Sequence, residues 1–554
     1  MKNVIKIVLL FVQSALFLIL NSCIKEEFDP KKLDTEFVIN PSVAAPLAYI
    51  HYELDEILDD SARSWNVRVE NDSLILLEYE TEIFSKKASE LIEFSRITQT
   101  GSIMNNSKFD LELGLIDYSY NLSLRDTLNL TVNLPDGAVY TRIDSIQVDS
   151  LVIDVDRNSE YPLRGKMILT SPKIRKIYKD KWDYWAAAVP VLGPTQTVTV
   201  KDVTIILSHD TQNVNIVPIV YELRLDQARG TVPAGDPILN FTMNTVDLDF
   251  NAIYGYLGKM KFRIGPQENP IDFFTDLKAG TFHFTEPRLQ FNFENSFGMP
   301  IQILTTDLYA TSQGGTINEI SGTGLPSPGN EWIIDYPTLK NFGKTVDDSM
   351  TINYYEANLV KVMDASPVGI TFGMEASTNP QPEETYNFVT SESQLKVISK
   401  LILPISGYTQ FMNIEDSVMY EFSDFFQNPP EEIKSLSLRL NFINSFPVDI
   451  NSQIYFLDES GNVVDSVFNT EYTIDAGQDL DGDGLVDPKE SDPVEVEFPR
   501  EKIDNLALSR CIYFKGRLNT YNSDIPEKYR FYSFYFLDVY MGVIGDLELN
   551  STSN

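Results

Sequence analysis

Cysteine and histidine are nearly missing from this chain. Its 554 residues include two Cys and three His. Two thiols cannot build a disulfide scaffold or a thiol-rich zinc centre. Three scattered His leave little room for Ser/His/Asp or Cys/His catalysis. Basic residues are also scarce, with 44 Lys and Arg against 80 Asp and Glu, a formal net charge of −36. That excess of acid argues against nucleic acid and anionic lipid headgroups as partners. No long amphipathic helical pattern and no strand–helix alternation is present, which excludes the α/β classes. What is there suits a folding chain rather than an acidic tail: 43% hydrophobic and 12% aromatic residues. At ~100–200 residues per domain, the length predicts three or four domains.

The first 30 residues carry an address. Lys2 and Lys6 precede a largely apolar run over residues 7–20. A run of that length falls short of the ~20 residues a membrane span needs and suits a signal-peptide core. It ends in Leu20-Asn21-Ser22-Cys23, which resembles the lipobox of bacterial lipoproteins. The resemblance implies a signal peptide over 1–22, removal of that peptide, and Cys23 as a lipidated N-terminus bearing acyl chains such as palmitate. More than one acyl chain makes such an anchor stable. Ile24-Lys25-Glu26-Glu27 resembles the surface-export signal of Bacteroidetes-type lipoproteins. That likeness implies a lipid-anchored outer-membrane protein facing the cell exterior. Residues 23–45 are then a tether.

The body alternates apolar and polar residues, as in Lys201–Leu207, Leu438–Phe442 and Tyr529–Tyr540. Asn, Asp, Gly and Pro break these runs every ~8–12 residues, the pattern of a β-sandwich. Helical signals are few and short, Ile271–Leu277 and Arg500–Ser509 among them. The pattern also repeats. Asn292-Phe293-Glu294-Asn295-Ser296-Phe297 matches Asn441-Phe442-Ile443-Asn444-Ser445-Phe446, and Gly255-Tyr256 matches Gly407-Tyr408. Residues 358–379 match 505–522, and Asn158-Ser159 belongs to a fainter third copy. The fold class is therefore mainly β, with tandem antiparallel, Ig-like sandwich units over 46–250, 251–402 and 403–554. Each Asn-Ser step suits a bulge or corner, where a short polar side chain satisfies freed backbone groups.

One segment carries definite chemistry. Residues 479–490 fit the D-x-[DN]-x-[DN]-G-x5-E calcium-loop pattern at every fixed position. Asp479, Asp481 and Asp483 take loop positions 1, 3 and 5, and Gly484 allows the turn. Leu485 offers its carbonyl, Asp487 binds through water, and Glu490 closes the set as a bidentate ligand. Five crowded carboxylates repel one another without a hard cation such as Ca²⁺. The flanks Glu471–Ile474 and Val494–Phe498 are strand-like, so the loop resembles those of dockerins and thrombospondin-type repeats. The sequence predicts an insertion in the third unit, matched in the middle unit near 311–330, where the only acid is Glu319.

The remaining features are weaker. His51, His209 and His283 read as satisfied strand residues, and Cys511 as a small buried hydrophobe. Trp182, Tyr184 and Trp185 form either a platform for sugar rings or edge packing. Asp-Ser/Thr before an apolar residue occurs eight times, from Asp60-Ser61 to Asp465-Ser466. It resembles the O-glycosylation sequon of Bacteroidetes-type exported proteins and equally suits strand starts. Taken together, the expectation is a non-catalytic surface lipoprotein, an interaction or scaffold module of the cell envelope. Its partner is an envelope protein or a glycan, and nucleic acid is excluded. A glycan-binding lipoprotein for nutrient uptake is the alternative.

Overall fold

The computed structural model describes residues 38–550, apart from 40–41, 54–64, 71–72, 93, 116–121, 132–140, 179–180, 210–214, 277–279, 382–384, 420–432, 507, 522–527 and 548. The chain is mainly β, as its alternation predicts, and every strand pair described is antiparallel. Arg288–Asn295 shows why: Leu289, Phe291 and Phe293 point inward and are buried, while the residues between them face out.

Three sandwiches follow one plan. In the third, strands Ser42–Glu53, Phe536–Leu547 and Ile433–Asn444 form one layer, completed by Lys489–Glu490 and Val494–Pro499. Met412–Met419, Cys511–Thr520 and Val448–Leu457 form the other, with Val463–Ser466 and Tyr472–Ile474 beside them. The second repeats this order. Ile75–Lys87, Gln394–Pro404, Arg288–Asn295 and Val346–Ile352 stand in one sheet, and Lys261–Pro270, Pro367–Thr378 and Ile301–Ser312 in the other. In the first, Thr98–Met104, Pro237–Tyr256, Arg142–Asn158 and Gln196–Ile206 pair in the same sequence. There Gln196–Ile206 also pairs Leu163–Tyr178 at Thr204 and Ile205, joining the layers into one nine-stranded sheet.

This plan corrects the expected boundaries. The segment before residue 98 does not belong to a first unit spanning 46–250. It supplies lead strands to the other two sandwiches, Ser42–Glu53 to the third and Ile75–Lys87 to the second, and Thr98–Met104 then follows as the lead strand of the first, so the three come in reverse order. The tether also ends sooner than residue 45, since the lead strand of the third sandwich starts at Ser42. Alternation reveals that a segment is a strand but not which sheet it joins, because backbone pairing is the same for every partner.

The repeated motifs mark backbone corners. Asn444 and Asn295 are fully buried. Asn444 donates from Nδ2 to the carbonyls of Val448 (3.0 Å) and Asp475 (2.9 Å), and accepts from Phe446 N at 2.9 Å. Asn295 donates to Asp335 O (3.0 Å) and accepts from Phe297 N (2.9 Å). Ser445 and Ser296 bridge to Phe536 and Gln394 on the neighbouring strand. In the first copy Ser159 donates to Ile238 O. The Gly-Tyr repeat has a steric cause. Gly255 and Gly407 have φ of 135° and 155°. A Cβ there would lie 2.3 Å from Arg142 O or 1.9 Å from His283 O.

Neighbouring sandwiches share backbone pairing. Asn387–Thr390 of the second adds to Pro237–Tyr256 of the first. Thr281–Phe284, Ser406–Gln410 and Tyr529–Arg530 form a small sheet linking the second to the third. Helices appear at Phe273–Asp276 and Arg500–Leu506, inside both predicted segments, and also at Ala88–Leu91 and Leu359–Asp364.

Candidate metal centre

The acidic loop lies between Tyr472–Ile474 and Lys489–Glu490. Its matching connection in the second sandwich runs over 335–345, between Trp332–Ile334 and Val346–Ile352. This corrects the expected match near 311–330. The hydrogen bonds settle the correspondence, since Asn295 holds Asp335 O as Asn444 holds Asp475 O. That counterpart carries Tyr336, Leu339 and Phe342 instead of a run of acids, and Phe342 stacks on Tyr254 of the first sandwich.

The three Asp of the motif converge. Carboxylate oxygens of Asp479, Asp481 and Asp483 lie within 4.8 Å of one another, and all three residues are exposed. Gly482 and Gly484 take φ of 81° and 86°, the left-handed region. Asp479 accepts from Gly482 N (2.7 Å) and Gly484 N (3.0 Å). Asp481 accepts from Asp483 N (3.1 Å), and Asp483 from Leu485 N (2.8 Å). Asp487 pairs through its backbone with Gln478, and its carboxylate accepts from Leu480 N at 3.0 Å. Backbone N–H groups thus hold the carboxylates in one turn. An all-oxygen donor set of this kind fits a hard cation.

Glu490 departs from the expected role. It lies on a strand, opposite Ile443, and its carboxylate accepts from Asn441 Nδ2 at 3.1 Å. It stands outside the Asp cluster. In a helical setting the twelfth position turns back toward the loop; here the chain runs on into the sheet.

The loop is fastened to the core beneath it. Val486 is buried and donates its N–H to the hydroxyl of Tyr535 at 2.9 Å. Tyr535 is also buried, and that burial pushes its hydroxyl up to about 12, with the charges of Asp483 and Asp479 adding to the effect. Nothing in the spacing of residues 479–490 points to Tyr535, nearly fifty residues downstream.

Other predicted residues fall as follows. Cys23, Lys25, Glu26 and Glu27 lie outside the described residues. Tyr184 is 61% exposed, with the Arg175 guanidinium 5.8 Å from its ring centroid. Trp185 packs half-buried against the core, and the Trp182 side chain lies outside the description. Tyr184 is exposed while Trp185 packs against the core across a register shift in the strand pair, so these two rings do not share a flat platform. Each His meets an Asp: His51 with Asp538 (2.5 Å), His209 with Asp144 (3.3 Å), His283 with Asp364 (3.0 Å). Cys511 is buried. Asp144-Ser145 and Asp149-Ser150 lie within a strand rather than at its start.

No family model matches the chain, and no curated protein does. Among solved structures, a Parabacteroides distasonis ATCC 8503 protein aligns over 91% of this chain and 99% of its own, at 10% identity and a TM-score of 0.26. A structure of infectious bursal disease virus Gx strain aligns over 85% and 86%, at 9% identity and a TM-score of 0.12. An archaeal virus structure with a triple jelly roll fold aligns over 80% and 96%, at 10% identity and a TM-score of 0.10. Overlap this loose carries no functional argument. Among the described residues, no helix is long and apolar enough to cross a membrane.

Proposed function

We propose that the protein is a non-catalytic, lipid-anchored outer-membrane lipoprotein that presents three sandwiches at the cell surface as an interaction module. Cys23 carries the lipid, and the third sandwich stands next to the tether. The observation behind this reading is the pairing of Val38–Ile39 with Leu549–Asn550. Both ends of the described chain meet at the third sandwich, so a short link from Cys23 attaches one end of the assembly. Ca²⁺ in the 479–483 turn serves as a structural ion, binding Asp479, Asp481 and Asp483, with Leu485 O and Asp487 completing the set. It stiffens the loop above Tyr535.

The test is fractionation with surface proteolysis. Cys23→Ala should release the protein from membranes and abolish lipid labelling. Whole-cell protease should digest the wild-type body, and Ala at Lys25, Glu26 and Glu27 should protect it. A Cys23→Ala protein that keeps its lipid label in the membrane fraction would overturn the anchor, and equal digestion of both forms would overturn the export signal.

A further inference from the structure

We infer that the open flank of the third sandwich is a docking groove for an extended basic peptide segment of a partner protein, which adds as a strand beside Val494–Pro499. This deepens the interaction-module reading by giving the partner a chemistry.

Among the described residues, Val494–Pro499 pairs Ile433–Asn444 on one side only, and Tyr472–Ile474 pairs only Val448–Leu457. The two edges face a groove of about 690 Å³. In the first sandwich the corresponding strand, Gln196–Ile206, is joined to the second layer at Thr204 and Ile205. An exposed strand edge offers unpaired N–H and C=O groups, and proteins ordinarily cover or charge it. Here the edge keeps an apolar floor. Phe468 and Tyr472 stack at 5.4 Å, Tyr472 and Phe442 at 5.5 Å, and half-buried Val494 and Val496 pack against the same core.

The rim decides the occupant. Asp465, Glu471, Glu495, Glu497 and Glu501 line the groove, with Lys502 the one lining cation among the described residues. Lys502 is already engaged, 3.6 Å from Asp465 and over the Phe498 ring at 5.0 Å. Arg517 meets Glu471 at 2.6 Å, and Arg439 stands 3.8 Å from Glu495. Glu497 and Glu501 have no cation within ion-pair distance among the described residues. An incoming strand that alternates apolar and basic residues would place its apolar side chains beside Val494 and Val496. Its cations would fall opposite Glu495 and Glu497, the favourable cross-strand pairing. A second copy of this chain would instead set acid against acid along the edge.

The probe is a labelled acetyl-Lys-Val-Lys-Val-Lys-Val-amide peptide, titrated against the chain without its signal peptide. Saturable binding that weakens with salt is expected, together with new amide-exchange protection over residues 494–498. A Lys-Gly repeat of equal charge should bind at least tenfold more weakly, since it leaves the floor uncovered. The pair Glu495→Lys and Glu497→Lys should weaken binding about tenfold, equivalent to two lost cross-strand pairs. Glu501→Lys, on the helix, tests the rim without touching the strand if the pair fails to fold. Equal binding of the Lys-Gly repeat, unchanged affinity in the folded variants, or protection elsewhere would overturn the groove. So would self-association of the wild-type chain through this edge. Failure here leaves anchoring and surface exposure standing, and failure of those tests leaves the peptide measurement intact.

Discussion

Replacing Asn444 by Asp preserves shape and removes two donors. In the native corner, Nδ2 serves the carbonyls of Val448 and Asp475, and the residue is fully buried. The acceptor to Phe446 N survives the change. Two carbonyls then face an oxygen instead of an N–H. Each buried partner left unsatisfied costs about 1–3 kcal/mol, so the loss is roughly 2–6 kcal/mol. Because the three sandwiches need not unfold together, a single melting temperature would blur the effect. Urea unfolding followed by amide exchange of the 433–444 and 536–547 strands isolates it. With m of about 1–3 kcal/mol/M, even a 3 kcal/mol loss moves the local midpoint by about 1–3 M. Asn295→Asp, with one carbonyl at stake, should act in the same direction in the second sandwich at roughly 1–3 kcal/mol. Asn451→Asp is the control, since an exposed carboxylate can still accept from Thr473 Oγ1. A third sandwich in Asn444→Asp as stable as the control would refute the assignment of the Asn-Ser step as a corner clamp.

Millimolar Ca²⁺ should raise the melting of the third sandwich in the whole chain, by about 2.7 kcal/mol at a hundredfold excess over Kd. Asp479→Ala should abolish the response and Glu490→Gln should leave most of it; calorimetry showing equal loss in both would restore Glu490 to the ligand set. Tyr535→Phe orphans the Val486 N–H and should cost about 1–3 kcal/mol in the same sandwich. His51 is held above its ordinary range chiefly by its hydrogen bond to Asp538, with Glu53 adding to it. Stability from that pair is complete below the ordinary histidine range and fades as pH rises through the raised value. Proton NMR should show His51 titrating at higher pH than in Asp538→Asn; identical curves would remove Asp538 as the cause. A fragment over 412–550 lacks the strand Ser42–Glu53 and should fail to fold alone. A permuted form that continues from residue 550 through a linker into 38–53 should fold, as far-ultraviolet circular dichroism and a cooperative melt would show.

The class of fold was legible because alternation fixes strand faces, and the repeat was legible because buried corners demand the same Asn-Ser pair twice. The convergence of Asp479, Asp481 and Asp483 in one turn was legible from spacing alone. Spacing did not place Glu490, because the pattern presumes an exiting helix and Glu490 leaves on a strand to meet Asn441. The lead strands of the second and third sandwiches were assigned to the wrong unit for a different reason. Ser42 pairs with Asp546 across the whole length of the chain, and no local pattern encodes so remote a partner. Trp185 illustrates a smaller limit: aromatic clustering in sequence is silent on which side of a strand each ring lies.

The reverse order of the lead strands sets a timetable. Synthesis delivers Ser42–Glu53 first, yet its partner Phe536–Leu547 comes almost last. Ile75–Lys87 waits for Gln394–Pro404, while Thr98–Met104 finds Pro237–Tyr256 much sooner. The innermost sandwich can close while the other two still hold a vacant place in their sheets. Long-range pairing of this kind is slow, since loop closure precedes its reward. Two strands therefore stay available for wrong partners during the wait, and Ile75-Leu76-Leu77 at the head of one is the stretch most in need of a chaperone's cover. The third sandwich is the last to be finished, so any chain truncated near its end leaves it open while the first stands complete.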